Sequence, residues 1–234
     1  MALPQLNTSP SYTTKIPSTG ETINYRPYLV KEEKVLMIAF ETGDQKQSLG
    51  AIVDTLKACI REDIDLANLC TFDIEYLFTQ IRSKSVGETA DITLPCSECE
   101  SRTEVTINLQ DINIDVAGVE NVVQLTDNIS VEMRYPSYRQ VMNMDMNASE
   151  TEMGFSMLSN CIRAISTEEE RIDTNDVPEK EVLAFIEQMT TEQFQRVASF
   201  LQDVPTLNQE VEYACVSCGH QNKTRLKGIN DFLS

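Results

Sequence analysis

Tryptophan is absent from this chain of 234 residues, histidine occurs once, and glycine and proline occur eight times each. A single imidazole, His220, leaves few candidates for classical acid–base chemistry, in which histidine is the commonest proton carrier. No G-x-S-x-G and no glycine-rich phosphate loop occurs, so acyl transfer and nucleotide chemistry lack their usual frames. The longest unbroken apolar run, VLMIAF at 35–40, is far shorter than the roughly 20 residues of a bilayer span. The opening MALPQLNTSPSYTTK has neither the charged start nor the apolar stretch of a secretory signal, so residence in a cytoplasm is expected. Basic charge is also scarce: 19 Lys and Arg stand against 37 Asp and Glu, a formal net charge of −18. Residues 1–60 carry six of each sign, whereas 141–187 carry eleven acids opposed only by Arg163, Arg171 and Lys180. Such a surface repels phosphate backbones over about 8 Å at physiological salt. It reads as a solvated acidic face, or as one that attracts a basic partner protein.

Cysteine, by contrast, is plentiful at seven residues. Cys59, Cys70 and Cys161 stand alone in apolar, helix-patterned stretches and read as buried small hydrophobes. The other four form two C-x-x-C pairs, Cys96 with Cys99 in LPCSECESRTEVTINL and Cys215 with Cys218 in EVEYACVSCGHQNKTRLKG. Each pair lies between two polar–apolar alternations, and such a knuckle offers two sulfurs on one side of a tight turn, half of a tetrahedral thiolate site. A redox pair would instead open a helix, whose N-terminus stabilises the thiolate. The two pairs together supply the four sulfurs of a closed structural Zn2+ site: Cys96, Cys99, Cys215 and Cys218. The 115 residues between Cys99 and Cys215 are no obstacle. Closing such a loop costs about 4 kcal/mol, and structural zinc returns roughly 10–16 kcal/mol in finger peptides. His220 follows the second knuckle closely, but four cysteines already fill the shell, so it is assigned a surface or supporting role.

The remaining pattern is α+β: a helical body with small antiparallel β-hairpins and a split four-cysteine zinc ribbon. The expected layout is an extended arm with a hairpin at 1–28, a helical region at 29–87, ribbon hairpins at 88–110 and 208–228, an inserted hairpin and helical region at 111–207, and a tail at 229–234. Pro17-Ser18-Thr19-Gly20 suits the turn of the first hairpin. LVKEEKVLMIAFE reads as a largely buried helix, and a second helix is expected over 46–60. Ile74, Leu77, Phe78 and Ile81 form an amphipathic stripe within 72–86. VVQLTDNISVEM predicts a hairpin turning at Thr-Asp-Asn. Beyond Pro136, Ser149 with Glu152 and Thr190 with Gln193 have capping-box spacing. Met153, Met157, Cys161 and Ile165 recur every four residues as one helical stripe, and Met142, Met144 and Met146 read as core filling.

Several stretches resemble, in order, the baseplate hub family of T-even-type contractile-tailed bacteriophages. They are YTTKIPSTGETINYRPYLVKEEKVLMIAFE, DIEYLFTQIRSKSVGE, LPCSEC and CVSCGHQNKTRLKGINDFLS. The charged and polar identities in RPYLVKEEK and QIRSKSVGE carry the likeness, because packing alone would accept many substitutes. The resemblance implies a non-enzymatic protein of the central hub, either a structural component of the virion or an assembly factor acting in the host cytoplasm. Its partners would be other hub or tail proteins, with the N-terminal arm and the Phe232-Leu233 tail as contact segments. An alternative, a zinc-ribbon adaptor for nucleic acid or transcription, draws on Lys223, Arg225 and Lys227, which Glu210, Glu212 and Asp231 offset.

Overall fold

In a computed structural model, residues 10–114, 116, 121–145 and 148–233 are described. The first nine residues of the expected arm, Met146 and Ser234 lie outside them. In chain order the elements begin with β1 (Tyr12–Lys15), β2 (Thr22–Tyr25), α1 (Val30–Glu41), α2 (Gln45–Cys59) and α3 (Thr71–Ser85). There follow β3 (Thr89–Pro95), β4 (Arg102–Asn108), β5 (Asn113–Ile114), β6 (Val122–Thr126) and β7 (Ile129–Met133). The rest are α4 (Tyr138–Asn143), α5 (Glu150–Cys161), β8 (Ile162–Ser166), β9 (Arg171–Asp173), α6 (Glu179–Glu187), α7 (Thr191–Gln202), β10 (Leu207–Ala214), β11 (Gln221–Lys227) and α8 (Asn230–Leu233). The α+β class holds, with small sheets ordered β1-β2, β3-β4, β11-β10-β5 and β6-β7-β8-β9, every pairing antiparallel. Among the described residues no helix is long and apolar enough to cross a membrane. The chain divides into two units, Met1–Leu66 with Phe72–Asp115 and Thr206–Ser234, and Ala67–Thr71 with Val116–Pro205.

In the first unit, β1 and β2 turn at the expected Pro17–Gly20 segment. Gly20 has φ 71°, a left-handed conformation that glycine adopts without strain. The hairpin is not a free arm. Ile16 and Ile23 are wholly buried and Tyr25 is 2% exposed. The Ser18 N–H and hydroxyl donate to the buried Asp73 carboxylate at 2.9 and 2.6 Å, and the Asn24 backbone and side chain donate to Glu62 at 2.7–3.0 Å. A four-residue strand pair has no second layer of its own, so its inward side chains complete the core of the unit instead.

Helix α1 forms where LVKEEKVLMIAFE predicts one, but "largely buried" is corrected. Only Glu32, Leu36 and Ala39 face inward. Glu32 caps the helix from N3, accepting from the Leu29 N–H at 2.9 Å and from Arg26 at 2.8 Å. Against the desolvation of its burial, the hydrogen bonds from Arg26 and Leu29 hold its carboxyl below the ordinary range. Asp44 caps α2 by accepting from Lys46 and Gln47 N–H. In α3 the predicted stripe of Ile74, Leu77, Phe78 and Ile81 is at most 1% exposed. The tail also differs from expectation as a contact segment: Phe232 is 1% exposed and α8 packs on β3 and β11.

Glu75, on the same helix, is pushed up to about 7 by burial, opposed by a hydrogen bond from the Ile229 backbone. Its folded value lies above its free value of 4.5, so between those two pH values the folded chain keeps a proton that the unfolded chain has released. Stability therefore falls as pH rises through that window and levels off above it. Glu75→Gln is expected to remove this component, gaining on the order of 2 kcal/mol relative to wild type at pH 8 but not at pH 4. Urea melts across pH check it, and parallel profiles would contradict it.

In the second unit, helices α5, α6 and α7 cover the four-stranded sheet. Leu125, Val131, Met133, Leu158, Val182, Val197 and Phe200 meet in one core. The β6–β7 hairpin turns between Thr126 and Ile129 as expected, and Ser149–Glu152 and Thr190–Gln193 are reciprocal capping boxes. The four-residue stripe is cut short. Met153, Met157 and Cys161 lie on α5, but Ile165 belongs to β8, paired with Val131 of β7 and Ile172 of β9. The β-branched Ile162 and Ile165 favour the extended pairing, which a count of apolar spacings does not distinguish. Met144 is buried, in keeping with core filling. Cys59 of the first unit and Cys161 of the second are buried thiols, pushed up by desolvation to about 11 and about 12 respectively, consistent with their reading as small hydrophobes, whereas Cys70, just ahead of α3, is only half-buried and bridges to Ser137.

Candidate metal centre

The site is built from two copies of one local device. In the first knuckle the Cys96 N–H donates to the Ser101 carbonyl at 2.9 Å and the Glu100 N–H to the Cys96 carbonyl at 3.0 Å. In the second, Cys215 donates to His220 at 2.9 Å and Gly219 to Cys215 at 2.9 Å. Each first cysteine sulfur accepts a backbone N–H two residues on, from Glu98 at 3.5 Å and from Ser217 at 3.4 Å. The equivalence extends to the left-handed residue after each second cysteine, Glu100 at φ 58° and Gly219 at φ 74°. Only one of these is glycine, so Glu100 holds a conformation that its Cβ disfavours.

Flanking strands keep the same phase. Ile92 and Leu94 of β3 are buried like Val211 and Tyr213 of β10, and Thr103 and Ile107 of β4 like Asn222 and Leu226 of β11. The knuckles then lock reciprocally. Asn222 Oδ1 accepts from the Ser97 N–H and hydroxyl, both at 3.0 Å, while Thr103 Oγ1 accepts from the Val216 N–H at 3.4 Å. Tyr213 adds a 2.6 Å hydrogen bond to the Pro95 carbonyl. The Asn222–Ser97 and Thr103–Val216 bonds occupy matching positions in the two ribbons, and the Tyr213 bond is made from the second ribbon alone.

All four sulfurs predicted from the spacing are brought together, within 4.8 Å of one another. Cys96 Sγ lies 3.7 Å from Cys218 Sγ, and Cys99 Sγ lies 3.6 Å from Cys215 Sγ. Disulfide sulfurs sit about 2.05 Å apart. A tetrahedron with metal–sulfur bonds of about 2.3 Å has edges of about 3.8 Å, and the observed separations match that figure. Cys96 and Cys215 are buried and Cys99 and Cys218 exposed, so the cluster opens to solvent on one side. Donation from Ser101 and from the Cys218 and Ser217 N–H groups brings the Cys215 thiol down to about 5. Cys218 is pushed up to about 12: the His220 N–H favours its thiolate, but the bonds it shares with Cys99, Cys215 and Cys96 outweigh that. Four adjacent thiols cannot all ionise together, because each negative sulfur disfavours the next, and a bound cation lifts that restriction.

His220 stands outside this set, its backbone carbonyl accepting from Cys215 and from Asn222 Nδ2. Ser101, Thr103 and Asn222 went unnoticed in the sequence. Superposing the two C-x-x-C pairs would have found the last two, since Thr103 and Asn222 then fall in one column.

No curated protein and no solved structure matches the chain. The family described as T4 bacteriophage base plate protein matches residues 9–234. With nearly the whole sequence covered, both knuckles included, the chain belongs to the T4 bacteriophage base plate protein family.

Proposed function

We propose that this baseplate protein acts in the tail hub as a non-enzymatic interaction protein, held in shape by one structural Zn2+ bound through Cys96, Cys99, Cys215 and Cys218. The observation that carries the reading is the sulfur cluster itself. Four thiols within 4.8 Å of one another, two pairs of them at 3.6 and 3.7 Å, suffice to fill a metal's shell and leave no position for a reacting water, which is the hallmark of structural rather than catalytic zinc. The soft, all-thiolate donor set favours zinc over the oxygen-seeking cations.

Charge favours protein partners over nucleic acid. Lys223, the first lysine after the second knuckle, is paired with Glu210 at 2.8 Å and Glu212 at 3.4 Å, and the chain as a whole carries −18. Elemental analysis of native, unchelated protein should find one zinc per chain, and a pull-down from infected cells should recover hub proteins. Negligible zinc would refute the metal assignment. Recovery of nucleic acid in place of tail proteins would refute the partner assignment. Mass spectrometry of finished virions separates a built-in component from an assembly factor that leaves.

A further inference from the structure

Helix α1 carries apolar residues on both faces along Val35–Phe40, yet is covered on one side only. While Glu32, Leu36 and Ala39 face inward, Val30 is 78% exposed, Met37 59%, Ile38 55% and Val35 50%. A helix of that pattern is ordinarily enclosed on both faces. The outer apolar surface is on the order of 500 Å2, near the upper end for a monomer and smaller than the roughly 800 Å2 each partner contributes to a standard interface.

The charges on this face indicate what covers it. Lys34 and Glu41 lie on the same stripe, seven residues or about 10 Å apart, with Met37 and Ile38 between them. Both are exposed and neither has an ion-pair partner among the described residues. A two-fold axis through the midpoint of the stripe sets Lys34 of each copy against Glu41 of the other and packs Met37 on Ile38 at the centre. An isologous interface requires that kind of self-complementarity. We infer that α1 pairs antiparallel with α1 of a second copy of this chain, making the protein a two-fold dimer independently of the metal site.

Sedimentation velocity of the full chain, from about 1 to about 100 µM, tests this. Wild type should shift from monomer to dimer across that range. Lys34→Glu and Glu41→Lys should each weaken association at least tenfold, because symmetry repeats the like-charge contact twice. The double exchange should restore it to within about threefold. Both positions of change are solvent-exposed, and unchanged circular dichroism would show that the variants fold. A monomer at every concentration overturns the inference, as does dimerisation that ignores the single exchanges or is not recovered in the double. A partner of other chemistry on this face would give the first of those results.

Discussion

Chelation of the native protein is expected to lower the unfolding temperature of the first unit by on the order of 15 °C while leaving that of the second unit in place. The size follows from what the cluster joins. Cys99 and Cys215 are 116 positions apart, and the two ribbons are held to each other by a handful of hydrogen bonds around the sulfurs. Loss of even part of the roughly 10–16 kcal/mol that structural zinc supplies in finger peptides, about 5 kcal/mol, is a large fraction of the stability of any domain. Exposure of Cys99 and Cys218 gives a chelator a route in. The core of the second unit contains none of the four sulfurs, so its transition serves as an internal control. Cys215→Ser should reproduce the effect without chelator. Scanning calorimetry reads both transitions, and coincident melts before and after chelation would remove the metal from the account of stability.

Removal of residues 1–28 is expected to abolish the folded first unit altogether, not merely to detach a docking arm. Ile16, Ile23 and Tyr25 are buried, and each such side chain contributes about 1.5–3 kcal/mol. Asp73, with no exposed surface, would lose both hydrogen bonds from Ser18, and an under-partnered buried carboxylate costs further. The sum is comparable to a whole domain's stability of 5–15 kcal/mol. The truncated chain should be insoluble or cut rapidly by protease within the first unit. A soluble, protease-resistant product would show that the hairpin is dispensable. Failure of the truncated chain to capture partners would accordingly say nothing about docking. Ile23→Ala, at about 2–4 kcal/mol, is the milder variant for such work.

Elements whose evidence is local were legible before any coordinates. The stripe of α3, the β3–β4 and β10–β11 alternations, and the Ser149–Glu152 and Thr190–Gln193 caps all rest on residues within one or two turns of each other. Errors arose where a local pattern had two tertiary readings. The every-fourth-residue apolar series through α5 continues by accident into β8, and nothing in the spacing marks the change at Ile162. The β1–β2 hairpin reads as an arm because its strands are short, and only Asp73 and Glu62, some 40 to 55 residues away, show that it is docked. Likewise the apolar residues of α1 announce burial without saying whether the covering surface belongs to the same chain.

Spacing and residue chemistry alone specified four candidate soft ligands in two strand–turn–strand knuckles, because a thiolate's affinity and the reach of C-x-x-C are properties of a few adjacent residues. Only the tertiary structure decided that these knuckles meet, that Asn222 and Thr103 lock them, and that one face of α1 stays bare. Contacts across more than a hundred residues depend on how whole elements pack, and no local periodicity encodes which distant partner a side chain will find.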